Sequence, residues 1–369
     1  MDKSLIGRPL EAVDTPALIV DYTILAANLR NLQESSDRAG IQVRPHIKAH
    51  KTPEVALMQM RLGAVGVTAA KIGEAEVMAS AGIPDIFIAN CIIGELKMRR
   101  LVALARRVPK LSVAVESMEA ARHLSEAFSA AGMTLEVMLE IDNGAQRCGV
   151  LPEKAVEFAQ QVSTLPGLHI VGIMAYAAGA YACRTEEDRK AFCAEEGRSL
   201  AAIAGELAAA GFEMRRISGG CTPTAGRHER GCGLTEIRSG TYSLNDYNQI
   251  DLGSCTRKDV AATVLATVVS KPCPERTLID SGTKALDQQV SQTTQGYGWL
   301  LEPPDANVVK INDEHGYLDA AGAGLRIGDK VRVIPPRICT CLNLYDEMVV
   351  VEDGVVVDVW RIAARGRNQ

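Results

Sequence analysis

Long apolar runs are missing from this 369-residue sequence. No stretch approaches the roughly 18 consecutive apolar residues that a membrane-spanning helix needs, and the N-terminal ten residues lack the apolar core of a signal peptide. A basic excess is missing too, since 40 Lys and Arg face 45 Asp and Glu. The resulting net charge of −5 argues against a protein that binds nucleic acid or an anionic membrane.

Low-complexity segments and long charge blocks are also missing, so composition predicts no disordered region. The ten cysteines are scattered along the chain instead of framing a short disulfide-rich domain. We therefore expect reduced thiols in a cytoplasmic protein. With 47% hydrophobic residues, the length supports two domains or one large α/β domain with a full core.

From about residue 41 to 240, short apolar β-branched runs alternate with segments of helical spacing. The predicted strands are 41–43, 64–68, 85–89, 111–115, 135–141, 170–175, 214–218 and 235–238, and the predicted helices include 53–62, 73–80, 95–105, 118–131, 153–162 and 186–209. Eight strands separated by crossover helices predict a parallel (β/α)8 barrel. A doubly wound open sheet is the rival, which the absence of a G-x-G-x-x-G motif disfavours.

After about residue 245 the pattern changes to strands alone. These are predicted at 261–270, 276–280, 307–311, 330–334, 348–351 and 355–362, with turn signals at 303–305 and 352–354. We expect a barrel domain over residues 16–245 and an all-β domain over 246–369, which also takes in the N-terminal segment 1–15.

The densest polar run, Arg-Pro-His-Ile-Lys-Ala-His-Lys at 44–51, directly follows the first barrel strand. The C-terminal ends of barrel strands form the catalytic face of such a fold. Lys48 is a candidate nucleophile there, because burial or neighbouring cations lower the pKa of a lysine. There are two other interpretations of this run. It is a solvated basic loop, or His46 and His50 together bind a metal.

Two turns of small residues follow the last two barrel strands, Ser-Gly-Gly-Cys-Thr at 218–222 and Arg-Ser-Gly-Thr-Tyr at 238–242. Barrel loops at these positions commonly bind phosphate through backbone N–H groups and hydroxyls. Arg147 and Tyr176 follow other strands, on the same predicted face. A surface salt-bridge arginine and a tyrosine at the rim of the core are the alternatives for these two.

The run from Arg44 to Thr52 resembles the signature of the D-threonine aldolase and D-serine dehydratase family. The resemblance continues through the segments 68–76, 147–150, 218–222, 238–242, 314–316 and 357–366, and so covers nearly the whole chain. Members of this family are pyridoxal 5'-phosphate (PLP) enzymes with the alanine-racemase fold. The resemblance implies a homodimer acting on a small amino-acid substrate.

By this resemblance Lys48 would carry the cofactor, Arg147 would meet its phenolic oxygen and Tyr176 would approach its pyridine nitrogen. The other residues implied in cofactor binding are Ser218, Gly220, Thr222, Arg238, Gly240, Thr241 and Tyr242. The sequence departs from the family after Tyr176, where no histidine stands in the run Tyr-Ala-Ala-Gly-Ala-Tyr.

A second departure lies in the segment 335–341, where the family binds a divalent metal through Pro-x-His-x-Cys. Arg337 stands at the position of the histidine. Because a guanidinium has no lone pair for a metal, we expect no metal site and a preference for an acidic substrate group. The alternative is that Arg337 pairs with a nearby carboxylate such as Asp346 or Glu347. On a strand, Cys339 and Cys341 would face the same side, either as two metal-binding thiolates or as packing residues.

The resemblance favours a PLP-dependent lyase, an aldolase or dehydratase acting on a 3-hydroxy D-amino acid, with Lys48 and Arg337 as catalytic residues. One alternative is a metal-independent racemase or epimerase, with Tyr247 or Cys339 as a second base. The other is a protein that binds PLP without catalysis.

Overall fold

The computed structural model describes residues 2–273, 275–291, 295–302, 306–319, 322 and 324–369. The strands in these residues are β1 (Ala17–Asp21), β2 (Gln42–Val43), β3 (Val67–Ala69), β4 (Asp85–Ile88), β5 (Lys110–Val115), β6 (Leu135–Ile141), β7 (Leu168–Ala175), β8 (Arg216–Gly219), β9 (Glu236–Ile237), β10 (Ala262–Cys273), β11 (Arg276–Ile279), β12 (Trp299–Leu300), β13 (Val308–Ile311), β14 (Gly316–Leu318), β15 (Lys330–Ile334), β16 (Glu347–Glu352) and β17 (Val355–Arg361). The helices are α1 (Tyr22–Ala39), α2 (Pro53–Leu62), α3 (Ile72–Ser80), α4 (Glu95–Ala105), α5 (Met118–Ala130), α6 (Ala155–Ser163), α7 (Glu186–Ala209), α8 (Tyr247–Asp251), α9 (Thr283–Leu286) and α10 (Ile338–Cys341).

The chain forms two compact units. One contains Met1–Leu29, Ala49–Glu54 and Thr241–Gly366, and the other contains Arg30–Lys48, Val55–Gly240 and Arg367–Gln369.

The second unit holds a parallel eight-stranded sheet in the order β2-β9-β8-β7-β6-β5-β4-β3. Its two ends also meet, because Val65 donates its N–H to the Val43 carbonyl and His46 pairs with Thr68 in a parallel bridge. The sheet therefore closes on itself, and the predicted (β/α)8 barrel is confirmed. Parallel strands need a crossover between them, and α2 to α7 supply most of these connections.

Apolar side chains of four neighbouring barrel strands form one buried cluster, Phe87, Ala114, Met138, Val171 and Met174. Helix α7, which covers the strands, begins at a residue whose side chain caps its first turn. Thr185 caps α7 by accepting the Asp188 N–H at 3.0 Å, while the Asp188 carboxylate accepts the Thr185 N–H at the same distance. This reciprocal pairing satisfies N–H groups that the first helical turn leaves without intrahelical partners.

The other unit is mostly strand, as the sequence predicted after residue 245. Its sheet runs β13-β14-β11-β10-β1-β16-β17, and β15 pairs with both β10 and β12. The predicted hairpin joins β16 to β17, with Asp353 at φ 49° and Gly354 at φ 77°. Two successive positive φ angles are typical of the tight turn that matches strand twist. The other predicted turn, 303–305, lies outside the described residues.

Among the helices of the described residues, none is long and apolar enough to cross a membrane. All ten cysteines are free thiols.

Candidate active site

Lys48 lies in a single 3-10 turn, Ile47–Ala49, just beyond the end of β2. Its backbone N–H is 3.4 Å from Nδ1 of His46, and its Nζ is 6.0 Å from the centre of the Tyr176 ring. Tyr176 immediately follows β7. The lysine and the tyrosine come from strands far apart in sequence, and the barrel brings them together at the C-terminal ends of the strands.

Arg147 joins this pair from the loop after β6. Its guanidinium carbon lies 4.6 Å from the centre of the Tyr176 ring, a distance at which a cation is attracted to an aromatic face. Arg147 is exposed and forms no ion pair with any residue that the structure describes. It is thus placed against an aromatic side chain beside Lys48 and not in a surface salt bridge.

Polar groups at the end of β8 and in the turn that follows it form hydrogen bonds with other residues of the barrel unit. Ser218 is fully buried and donates its hydroxyl to Glu236 at 2.7 Å, while Arg238 donates to the same Ser218 oxygen. A second guanidinium nitrogen of Arg238 donates to the Ala175 carbonyl at 2.5 Å. Gly220 donates its N–H to Glu196 at 2.9 Å.

The turn at 238–242 packs closely against the Lys48 loop at its glycine. A side chain on Gly240 would bring its Cβ to 2.8 Å from the His46 carbonyl oxygen, a separation that real Cβ atoms do not show. Thr241 has its hydroxyl 3.6 Å from the Cys339 thiol, and Tyr242 is buried.

A buried ion network lies beneath these turns. The Glu236 carboxylate accepts from Arg44 Nε and Arg216 Nη2, each at 3.0 Å, and Arg44 also pairs with Asp85. Burial alone would raise the pKa of Glu236, but the charges of Arg44 and Arg216 outweigh it and lower this pKa to about 2. Sequence reasoning missed the network, because its members lie on strands that are distant in sequence.

Arg337 is exposed and precedes the short helix α10. It forms no ion pair within the described part of the chain, although its charge acts on the buried Asp246 carboxyl and partly offsets the rise in pKa that burial causes there. Pairing of Arg337 with a nearby carboxylate stays a prediction. Asp346 instead lies 3.3 Å from Arg365.

The same-side geometry expected for Cys339 and Cys341 is wrong, because this segment is helical and not a strand. Residues two apart on a helix point in widely different directions. Cys341 is buried with its thiol 3.2 Å from the Ala285 carbonyl oxygen, whereas Cys339 lies near Thr241. Asp246 anchors this helix by accepting the Ile338 N–H at 3.1 Å, and burial raises the pKa of Asp246 to about 7.

Tyr247, one candidate for a second base, stacks on Trp299 with ring centres 3.4 Å apart and planes at 11°. Burial, followed by the charge of Asp251, raises the pKa of its phenol. Both effects disfavour the phenolate that proton abstraction would need.

One cluster escaped the sequence analysis altogether. Cys91, Glu116 and Glu140 follow or end β4, β5 and β6, and their potential ligand atoms all lie within 4.8 Å of one another. Burial first, and then the neighbouring Glu116, raises the pKa of both Cys91 and Glu140. Each of the three follows or ends a predicted barrel strand, and this position could have identified them from the sequence as candidate site residues.

Comparison with known proteins assigns both parts of the chain to described families. Residues 20–247 match the family model "Alanine racemase, N-terminal domain", and residues 261–351 match "Putative serine dehydratase domain". The D-threonine aldolase of Arthrobacter sp is 37% identical, over 98% of this chain and 95% of that protein. The 3-hydroxy-D-aspartate aldolase of Paracoccus denitrificans is 31% identical, over 99% of this chain and 95% of that protein.

The crystal structure of D-threonine aldolase from Filomicrobium marinum superimposes with a TM-score of 0.89 at 32% identity, covering 99% of this chain and 98% of that one. A similarity of this extent includes both the barrel and the strand-rich part. The chain therefore belongs to the D-threonine aldolase and D-serine dehydratase-like family, and its barrel matches the family model of the alanine racemase N-terminal domain.

Proposed function

We propose that this protein is a PLP-dependent lyase that cleaves or dehydrates a 3-hydroxy D-amino acid. The observation that carries the proposal is the convergence of Lys48, Arg147 and Tyr176 at the C-terminal ends of the barrel strands. PLP supplies an electron sink that acidifies the α-carbon of an amino acid. The relatives named above, an aldolase for D-threonine and one for 3-hydroxy-D-aspartate, support the substrate class.

The donor set suits PLP. A lysine amine can bind the aldehyde covalently, and the arginine beside it is a permanent cation that suits the phenolate oxygen of the cofactor. The hydroxyl of Tyr176 would be available to the pyridine nitrogen. The close approach that Gly220 and Gly240 allow, together with the hydroxyls of Thr222, Thr241 and Tyr242, would suit the phosphate.

Ser218 and Arg238 have a supporting role in this proposal. Their polar groups bind each other, Glu236 and the Ala175 carbonyl, so they would hold the phosphate turn in place from inside the barrel. Residues 16–245 would form the cofactor-binding domain, and residues 246–369 with 1–15 would form the β domain. We further propose that the protein is cytoplasmic, because ten free thiols suit a reducing compartment. We also propose that it is a homodimer.

A divalent metal does not fit the segment around Arg337. A guanidinium stays protonated and has no lone pair to give, and Cys339 alone makes a poor site. We propose that Arg337 acts on the substrate instead, as the partner of a distal acid group. The exposure of its side chain supports this role, since paired hydrogen bonds from arginine to carboxylate are strong and directional.

The substrate class is tested with a panel of D- and L-amino acids, with and without a 3-hydroxyl group. We expect aldehyde or keto-acid release from 3-hydroxy D-amino acids and none from their L-counterparts. Solvent-deuterium exchange followed in the same panel separates the racemase alternative. Racemisation without release of aldehyde or keto acid would overturn the lyase proposal.

The metal-free role of Arg337 predicts that activity survives exhaustive treatment with EDTA. Arg337→Ala is expected to lower kcat/KM for aspartate-like substrates by about tenfold or more, because a charged hydrogen bond contributes about 1.5–3 kcal/mol. Activity on 3-hydroxy substrates without a distal acid should change little. Arg337→Lys is the matched control that keeps the charge and should retain part of the preference. Activity lost in EDTA and restored by manganese or zinc would contradict the prediction, as would unchanged selectivity in Arg337→Ala.

A further inference from the structure

A buried carboxylate and a buried imidazole lie behind the turn that follows β8. Glu196, on α7, is 2% exposed, and His228 is 8% exposed. One oxygen of Glu196 accepts the Gly220 N–H at 2.9 Å, and the other lies 3.5 Å from Nε2 of His228. Neither residue belongs to the group around Lys48 from which the function was proposed.

The turn is packed tightly onto this carboxylate. A side chain on Gly219 would bring its Cβ to 2.8 Å from Glu196 Oε1, and Gly220 has φ +75° with Ile237 only 3.0 Å from its would-be Cβ. The next residue, Cys221, donates its N–H to the Thr224 hydroxyl at 2.9 Å. Two consecutive backbone N–H groups of the turn are thus committed to side chains behind it, which fixes the path of the chain leading to Thr222.

A carboxylate as deeply buried as that of Glu196 is costly unless it is neutralised. The Gly220 N–H satisfies one of its oxygens. The other has no hydrogen bond within the described residues, and neither ring nitrogen of His228 has one. The imidazole Nε2 at 3.5 Å packs against this second oxygen and encloses the carboxylate from the side away from Gly220.

We propose that Glu196 and His228 are positioning residues for the phosphate of the cofactor. Glu196 holds the Gly220 N–H on the α7 side and so fixes the turn for Thr222. His228 lies against the second oxygen of Glu196 and so holds the carboxylate in the position from which it accepts the Gly220 N–H. This inference rests on the proposed use of PLP.

The test compares the affinity for PLP with that for pyridoxal, which lacks the phosphate, in spectroscopic titrations of the full chain. Glu196→Ala is expected to weaken PLP binding by about tenfold, the effect of one lost hydrogen bond to a charged group, and to leave pyridoxal binding unchanged. Glu196→Gln should restore most of the PLP affinity, because its amide oxygen can still accept the Gly220 N–H. His228→Gln should also weaken PLP selectively, since it removes the imidazole that lies 3.5 Å from the second oxygen of Glu196.

Glu206→Ala is the matched control, because Glu206 lies exposed on the same helix and should change neither affinity. If Glu196→Ala does not fold, His228→Gln and Glu196→Gln carry the test. Equal weakening of PLP and pyridoxal, or no change in either, would overturn this inference alone. A wild-type chain that binds no PLP would overturn the proposed function and this inference with it.

Discussion

Lys48→Ala is expected to remove the covalently held cofactor and to lower lyase activity by about a thousandfold or more, as loss of a covalent nucleophile does. Lys48 carries its amine on a loop at the C-terminal ends of the barrel strands, with Nζ 6.0 Å from the ring centre of Tyr176. The absorbance at roughly 420 nm that lysine-bound PLP gives should disappear. Borohydride reduction of the wild type should fix the cofactor to the peptide that contains Lys48.

Two control variants distinguish the loss of the nucleophilic amine from the loss of a positive charge and from a nonspecific effect of replacing a lysine. Lys48→Arg keeps the cation but offers no amine that condenses with an aldehyde, so it should lose the absorbance as Lys48→Ala does. Lys110→Ala changes an exposed lysine at the start of β5, the opposite end of the barrel strands, and should retain both absorbance and activity. Covalent cofactor retained in Lys48→Ala would show that another lysine carries it.

Glu236→Gln is expected to destabilise the protein by about 3–5 kcal/mol, because it removes the charge that the buried guanidinium of Arg44 and the half-buried guanidinium of Arg216 share. Glu236 accepts from Arg44 and Arg216 at 3.0 Å and from the Ser218 hydroxyl at 2.7 Å. The amide has nearly the same shape but one acceptor oxygen and no charge. The free energy of unfolding, measured with urea near pH 7, reports the change.

Glu136→Gln is the matched control for this variant. Glu136 pairs with Arg215 at 2.8 Å, but the two side chains are 38% and 46% exposed, so the loss should be below about 1 kcal/mol. Similar losses in the two variants would contradict the view that burial makes the Glu236 network important.

The stabilisation by Glu236 has a defined pH dependence. Its folded-state pKa of about 2 lies below the ordinary value of 4.5, so the stabilisation is complete above about pH 4.5 and is lost as the pH falls toward 2. The difference in unfolding free energy between wild type and Glu236→Gln should therefore shrink below pH 4.5, by up to about 1.4 kcal/mol per pH unit. A constant difference down to about pH 3 would argue against a lowered pKa.

The barrel was predictable because strand and helix periodicities persist along most of residues 41–240, and every parallel strand needs its crossover. Helices α2, α4 and α7 were predicted with their observed limits, Pro53–Leu62, Glu95–Ala105 and Glu186–Ala209. The placement of Lys48 beyond β2 followed in the same way, since the end of a strand is a local property.

The segment around Cys339 was not predictable, because a four-residue helix is too short to show a 3.6-residue period. The hydrogen bonds of Ser218, Arg238 and Gly220 were equally hidden from the sequence. Their partners lie on other strands or on α7, and only closure of the barrel decides which strands become neighbours. The sequence by itself determined most of the strands and helices of residues 41–240 and the residues at their ends, but not α1 or the short helices α8 to α10. Only the tertiary structure decided which of those residues point into the barrel and form hydrogen bonds that hold the turns at 218–222 and 238–242. Burial and pairing depend on side chains that are distant along the chain.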